Sequence, residues 1–133
     1  MIENKIAQST IERIPDNKEE RKDFLRKRLK RYQGLNVFNN SLKAYVGITG
    51  GGLKDTVEHA SAYKSSTILA LNIIHIIRAA RRYGNKEGYP PHSNQQRKMK
   101  IQKVFLFKCA VKSVGTAKLT IGVKNSGRNL YYC

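Results

Sequence analysis

Residues 103–133 read KVFLFKCAVKSVGTAKLTIGVKNSGRNLYYC, and this stretch decides the fold class. Its first part alternates with a period of two: Phe105, Phe107, Cys109 and Val111 fall on one side, Leu106, Lys108, Ala110 and Lys112 on the other. Ser113 to Thr116 forms a turn, after which Ala117, Leu119, Ile121 and Val123 face one way and Lys118, Thr120, Gly122 and Lys124 the other. Asn125-Ser126-Gly127-Arg128 has turn chemistry, leaving a last strand over 129–133. Three consecutive strands joined by short turns predict an antiparallel meander with one apolar face.

That apolar face needs a cover, and the segment before it supplies one. Residues 67–83 are apolar nearly all round (Ile68, Leu69, Leu71, Ile73, Ile74, Ile76, Ile77), which predicts a buried central helix capped by Ser65 or Ser66. Arg78, Arg81 and Arg82 close it and suit the helix dipole, and 84–96, with Gly88, Pro90 and Pro91, is a loop. Nearer the N-terminus, Asp16 and Glu19 form a capping-box pattern that predicts a helix over 17–32, with a narrow stripe of Leu25, Leu29 and Tyr32 amid seven cations including Arg21. Such a narrow stripe predicts light packing, and the cations read equally as a solvated face or a nucleic-acid arm. Residues 42–49 have strand composition. Gly50-Gly51-Gly52 then predicts a tight turn before a short helix over 53–60. The glycine spacing 47–52 matches a phosphate-binding P-loop, but Leu53 stands where the lysine must be, so that motif is rejected. The expected architecture is α+β: an N-terminal helix and a buried central helix on an antiparallel meander. Residues 1–34 form a basic arm and helix, and 35–133 the main domain.

Charge narrows the function. The chain carries 26 Lys and Arg against 9 Asp and Glu; residues 1–58 net +4, whereas 59–133 net +13 with Glu87 as their one acid. Such a field attracts nucleic acid foremost, then an acidic protein or a membrane surface, and repels basic partners. No apolar run reaches the roughly 20 residues of a membrane-spanning helix, so no membrane anchor is expected. Cys109 and Cys133 make neither a CxxC pair nor a disulfide framework. His59, His75 and His92 lack zinc-motif spacing, so neither metal nor cofactor is expected. His75, inside the apolar run, reads as a core histidine. His59 follows the glycines and precedes Lys64 at a helix-to-loop junction; it reads either as a dipole partner or as a group projecting into a cleft. The polar sheet face offers Lys108, Lys112, Lys118, Thr120 and Lys124, with Tyr131 on the third strand. Metal-free RNA cleavage needs a base for the 2′-hydroxyl, an acid for the leaving oxygen, and cations or hydroxyls around the phosphorane. His, Lys, Thr and Tyr on one basic surface meet that list.

The order Val46-Gly47-Ile48, Leu53 to His59, Lys64, Ile76-Ile77-Arg78-Ala79-Ala80, Val104-Phe105-Leu106-Phe107, Leu119 to Lys124 and Leu130-Tyr131-Tyr132 resembles the barnase/EndoU/colicin/RelE-like ribonucleases. The likeness covers 35–133 and is nearest to phage-associated, contact-dependent and polymorphic-toxin members. It implies a metal-independent endoribonuclease toxin domain acting on tRNA or other RNA in the cytoplasm of a target bacterium. As the C-terminal part of a larger secreted or phage-delivered protein, it would be held in check by an acidic immunity or antitoxin protein. Carried onto matching positions, His59 is the acid/base, Lys64 stabilises the phosphorane, and Thr120 and Tyr131 position the phosphate. Lys54, Lys108, Lys112, Lys118, Lys124 and Arg128 hold RNA. A second catalytic histidine has no match, leaving His92, Tyr131 or Lys64 to complete the pair. The alternative function is a non-catalytic RNA- or DNA-binding module, which charge alone would satisfy.

Overall fold

Phe107 opposite Leu119 and Phe105 opposite Ile121 set the register of a long hairpin, strands β4 (Ile101–Val111) and β5 (Gly115–Lys124). The computed structural model describes residues 1–91 and 100–131, so expectations placed on His92, Tyr132 and Cys133 lie outside the described residues. Strand β6 (Asn129–Tyr131) pairs antiparallel with β5, completing the meander as read from the alternation. Its other edge pairs in parallel with β2 (Ala44–Ile48), which pairs with β1 (Asn36–Asn39). Adding β3 (Arg81–Tyr83) against β4 gives a six-stranded mixed sheet, order β1-β2-β6-β5-β4-β3. The α+β class holds, but the sheet is neither purely antiparallel nor a bare meander.

The single central helix does not form as read. Residues 64–83 break into α4 (Lys64–Leu71), α5 (Ile73–Ala79) and strand β3. Asn72 causes the first break. Its backbone N–H bonds the Leu69 carbonyl, and its side-chain amide donates to the Ile68 carbonyl (2.9 Å) and to Asn4 Oδ1 (2.9 Å) while accepting from Lys5 N (2.9 Å). An Asn that serves the backbone of two segments interrupts the helical ladder. The second break is made by Asn39, fully buried, whose amide donates to the carbonyls of Ile77 (2.6 Å) and Ala80 (2.9 Å). Helix-end carbonyls are thereby satisfied, and Arg81 and Arg82 continue as strand rather than helix. Asn39 lies at one sheet edge and Ala80 precedes the other, so the sheet curls around α5. Cap positions shift too: Ser66 Oγ accepts from Tyr63 N, making Tyr63 the cap of α4.

N-terminal residues are woven in. Ile2 pairs with Val111, α1 (Gln8–Glu12) follows, and Ile14 is buried. Helix α2 (Lys18–Leu29) is capped by Asn17 instead of Asp16, its Oδ1 accepting from the N–H groups of Glu19 and Glu20. A 3-10 turn extends it to Tyr32. Far from packing lightly, it places Leu25 and Leu29 in the main core with Val46, Ile76, Ile77, Phe107 and Ile121. Arg21, read among the arm cations, is also buried.

Gly50, Gly51 and Gly52 are the first turn of α3 (Gly50–Ala60), not a turn before it; Thr49 caps them with Oγ1 accepting from Gly52 N (2.9 Å). A methyl group at Gly52 would collide with the Tyr131 carbonyl, so glycine lets α3 touch the end of β6. Gly→Ala normally stabilises a helix by about 1 kcal/mol; here the sign should reverse. Gly52→Ala is expected to cost roughly 1–3 kcal/mol through overpacking, read as a lower thermal midpoint.

Candidate active site

Tyr131 faces Ile121 across the β5–β6 pair, on the helix-covered side of the sheet, and is 2% exposed. It therefore does not share the polar face with Thr120, which pairs with Leu106 on the other side. Its hydroxyl meets Thr56 Oγ1 of α3 at 2.5 Å. Thr56 has one hydroxyl hydrogen, given to the Gly52 carbonyl at 2.8 Å, so Tyr131 O–H is the donor of the pair. Helix and strand are thus locked beside a short stretch of β5 that β6 leaves unpaired.

At that exposed edge opens a cleft of about 220 Å³, lined by Thr56, His59, Ala60, Ser66, Leu69, Ala70, Ile73, Ile76, Tyr131 and residues 116–119. His59, three residues after Thr56 on the same helix face, stands exposed at the mouth in the last turn of α3. Walls are apolar, and the polar groups converging on it are an imidazole and hydroxyls, with Lys118 at the rim.

Of the four residues read as catalytic, His59 and Tyr131 meet in this cleft. Lys64, exposed at the start of α4, and Thr120 do not line it. Lys54 lies elsewhere, in a groove of about 290 Å³ between α2 and α3 with Arg26 and Lys30. Lys112 follows β4 and pairs with Glu3 at 3.9 Å. Lys108 and Lys118 sit directly opposite each other on the face away from the helices, and Lys124 is opposite Ile101 on that face. Arg128, in the β5–β6 turn, brings its guanidinium near Gly47 of β2. Sequence reading missed Thr56, Ser66 and Thr116. For Thr56 a signal existed, the i, i+3 spacing to His59; no sequence signal places Thr116 beside them.

Helix α3 is pinned to α2 by Lys22, whose ammonium reaches Glu58 Oε2 at 3.1 Å. That hydrogen bond holds the Glu58 carboxyl below the usual range and raises Lys22. His75 is half-buried; burial, then the charges of Arg78 and Lys5, lower its pKa from the ordinary value of 6.5. With the folded value below the unfolded one, both states are neutral well above pH 6.5 and the histidine contributes nothing to stability there. On acidification the unfolded chain takes the proton first, so stability should fall below that pH. A thermal midpoint followed downward from pH 7 should decline less in His75→Gln than in wild type.

Among the described residues no three His, Cys, Asp or Glu side chains are grouped to hold a metal ion. No helix among them is long and apolar enough to cross a membrane. Fold and cleft define a small basic α+β domain with a histidine and hydroxyl cleft at a sheet edge. The chain belongs to the large polyvalent protein-associated domain 3 family, whose model matches residues 12–131. Its description, a domain associated with large polyvalent proteins, fits the toxin-associated setting expected from the resemblance. No curated protein and no solved structure matches the chain.

Proposed function

We propose that the chain is an endoribonuclease toxin domain of the barnase/EndoU/colicin/RelE-like kind, cutting RNA, with tRNA the foremost candidate, by 2′-hydroxyl attack. The supporting observation is the convergence of His59 with the Thr56–Tyr131 hydroxyl pair in one cleft of a chain whose residues 59–133 net +13. His59 takes the 2′-hydroxyl proton, the oxygen attacks the adjacent phosphorus, and the imidazolium so formed hands that proton to the departing 5′-oxygen, giving a 2′,3′-cyclic phosphate and a 5′-hydroxyl. Lys118 at the rim offsets charge on the phosphorane. Tyr131, its hydrogen given to Thr56, is a positioning residue that fixes the α3 face carrying His59. The donor set is one imidazole and hydroxyls without a carboxylate, the inventory of a metal-independent reaction.

The test is incubation of the purified chain with total RNA in EDTA. Cleavage leaving cyclic phosphate ends is expected, and RNA methylated at the 2′-oxygen should resist. Cutting only after divalent metal is added would overturn the mechanism. A non-catalytic RNA- or DNA-binding module is the second reading, favoured by strands that, among the described residues, hold six Lys and Arg and no Asp or Glu. The proposal extends to an acidic immunity or antitoxin protein seated on the lysine-bearing sheet, with binding that weakens as salt rises, and to action in a target bacterium's cytoplasm.

A further inference from the structure

Register places three cations side by side. Arg81 of β3 is opposite Lys108 of β4, and Lys108 is opposite Lys118 of β5. All three are exposed on the face away from the helices. Like charges directly opposite on neighbouring strands destabilise a sheet. Acidic cross-strand partners would relieve this, yet no strand residue is Asp or Glu and no carboxylate among the described residues pairs with the three. Lys108 instead lies over the Tyr83 ring, 5.2 Å from its centroid. Strand spacing makes the row about 10 Å long, and its Lys118 end is the rim of the His59 cleft.

We infer that Arg81, Lys108 and Lys118 form a phosphate-binding row that holds the backbone of single-stranded RNA next to the cleft. This rests on the proposed RNA substrate. Backbone phosphates are the counter-charge the row lacks, and their neutralisation supplies affinity without reading sequence. The cleft, about 220 Å³, is smaller than ordinary ligand pockets and admits a nucleobase or a phosphate rather than a duplex. RNA sites read in this way are unpaired, with bases splayed from the stack. Only the tertiary structure exposes the row, because Arg81 reads in sequence as a helix end.

The test uses a short fluorescent 2′-O-methyl RNA, which cannot be cut by the proposed chemistry, so binding is read independently of cleavage. Anisotropy titrations from low to physiological salt compare wild type with Arg81→Gln, Lys108→Gln and Lys118→Gln, and with Lys18→Gln on α2 as control. Each row variant should bind several-fold more weakly and lower the log–log salt slope by about 0.7, one phosphate of single strand. The control should match wild type, and the same sequence as a duplex should bind less well. Thermal midpoints should stay level or rise as repulsion is relieved. Unchanged slopes in all three, tighter duplex binding, or response only to an acidic polypeptide would overturn the row. Cleavage with unaltered slopes sinks the row and spares the nuclease; loss of slope in a chain that never cuts RNA does the reverse.

Discussion

His59→Ala should lower RNA cleavage by about 10²–10⁴-fold, the usual contribution of a positioned acid or base, while RNA affinity stays near wild type. Affinity is spread over many phosphate contacts, whereas proton transfer depends on one group. The two should separate in a single titration: an uncleavable RNA bound equally well by both chains, a cleavable one cut by wild type alone. Exposure of His59 at the cleft mouth means its loss leaves no cavity, so the thermal midpoint should hold. Near-wild-type cleavage, or a marked fall in the midpoint, would mean that His59 is structural and would leave the binding module as the better reading.

Arg21→Ala should be among the most destabilising single changes, costing roughly 3–5 kcal/mol. The guanidinium donates to the carbonyls of Ser61 (2.8 Å), Ala62 (3.1 Å), Asp16 (2.6 Å) and Pro15 (3.3 Å). Truncation leaves several of these acceptors without a donor in a site where Arg21 itself is 9% exposed. Lysine should not rescue it, because a point ammonium cannot fork to four carbonyls. Thermal unfolding is the measurement, with a drop of about 10 °C or more expected for a chain of this size. Exposed Arg26→Ala on the same helix should stay within about 0.5 kcal/mol. Ser61 and Ala62 directly follow α3, so the same clamp holds the helix end that carries His59. Activity in the variant should fade with temperature before wild type does.

The contrast between these two arginines shows where sequence reading stops. Arg21 and Arg26 sit in one charge run, and composition cannot say which side chain turns inward; the carbonyls just after α3 that select Arg21 lie 40 and 41 residues away. Arg81 poses the same problem, since a basic residue after an apolar helix looks like a dipole partner until β4 supplies a strand to pair with it. Asn72 and Asn39 are also silent in sequence. Each breaks or ends a helix through bonds to carbonyls that local propensity does not reveal.

Alternation in 103–131 by itself determined three strands, their apolar face and the α+β class, because a period of two in β-branched and aromatic residues is a local property of the pleat. The charge split by itself determined that the C-terminal half is the strongly cationic part of the chain, because net charge needs no geometry. Tertiary structure alone decided that β6 joins β2 in parallel, that Tyr131 turns from the polar face to lock onto Thr56, and that Lys64 and Thr120 stand outside the cleft. Those outcomes depend on contacts between residues as far apart as Thr56 and Tyr131. Such contacts form only when burial of the whole core overrides what each segment prefers alone.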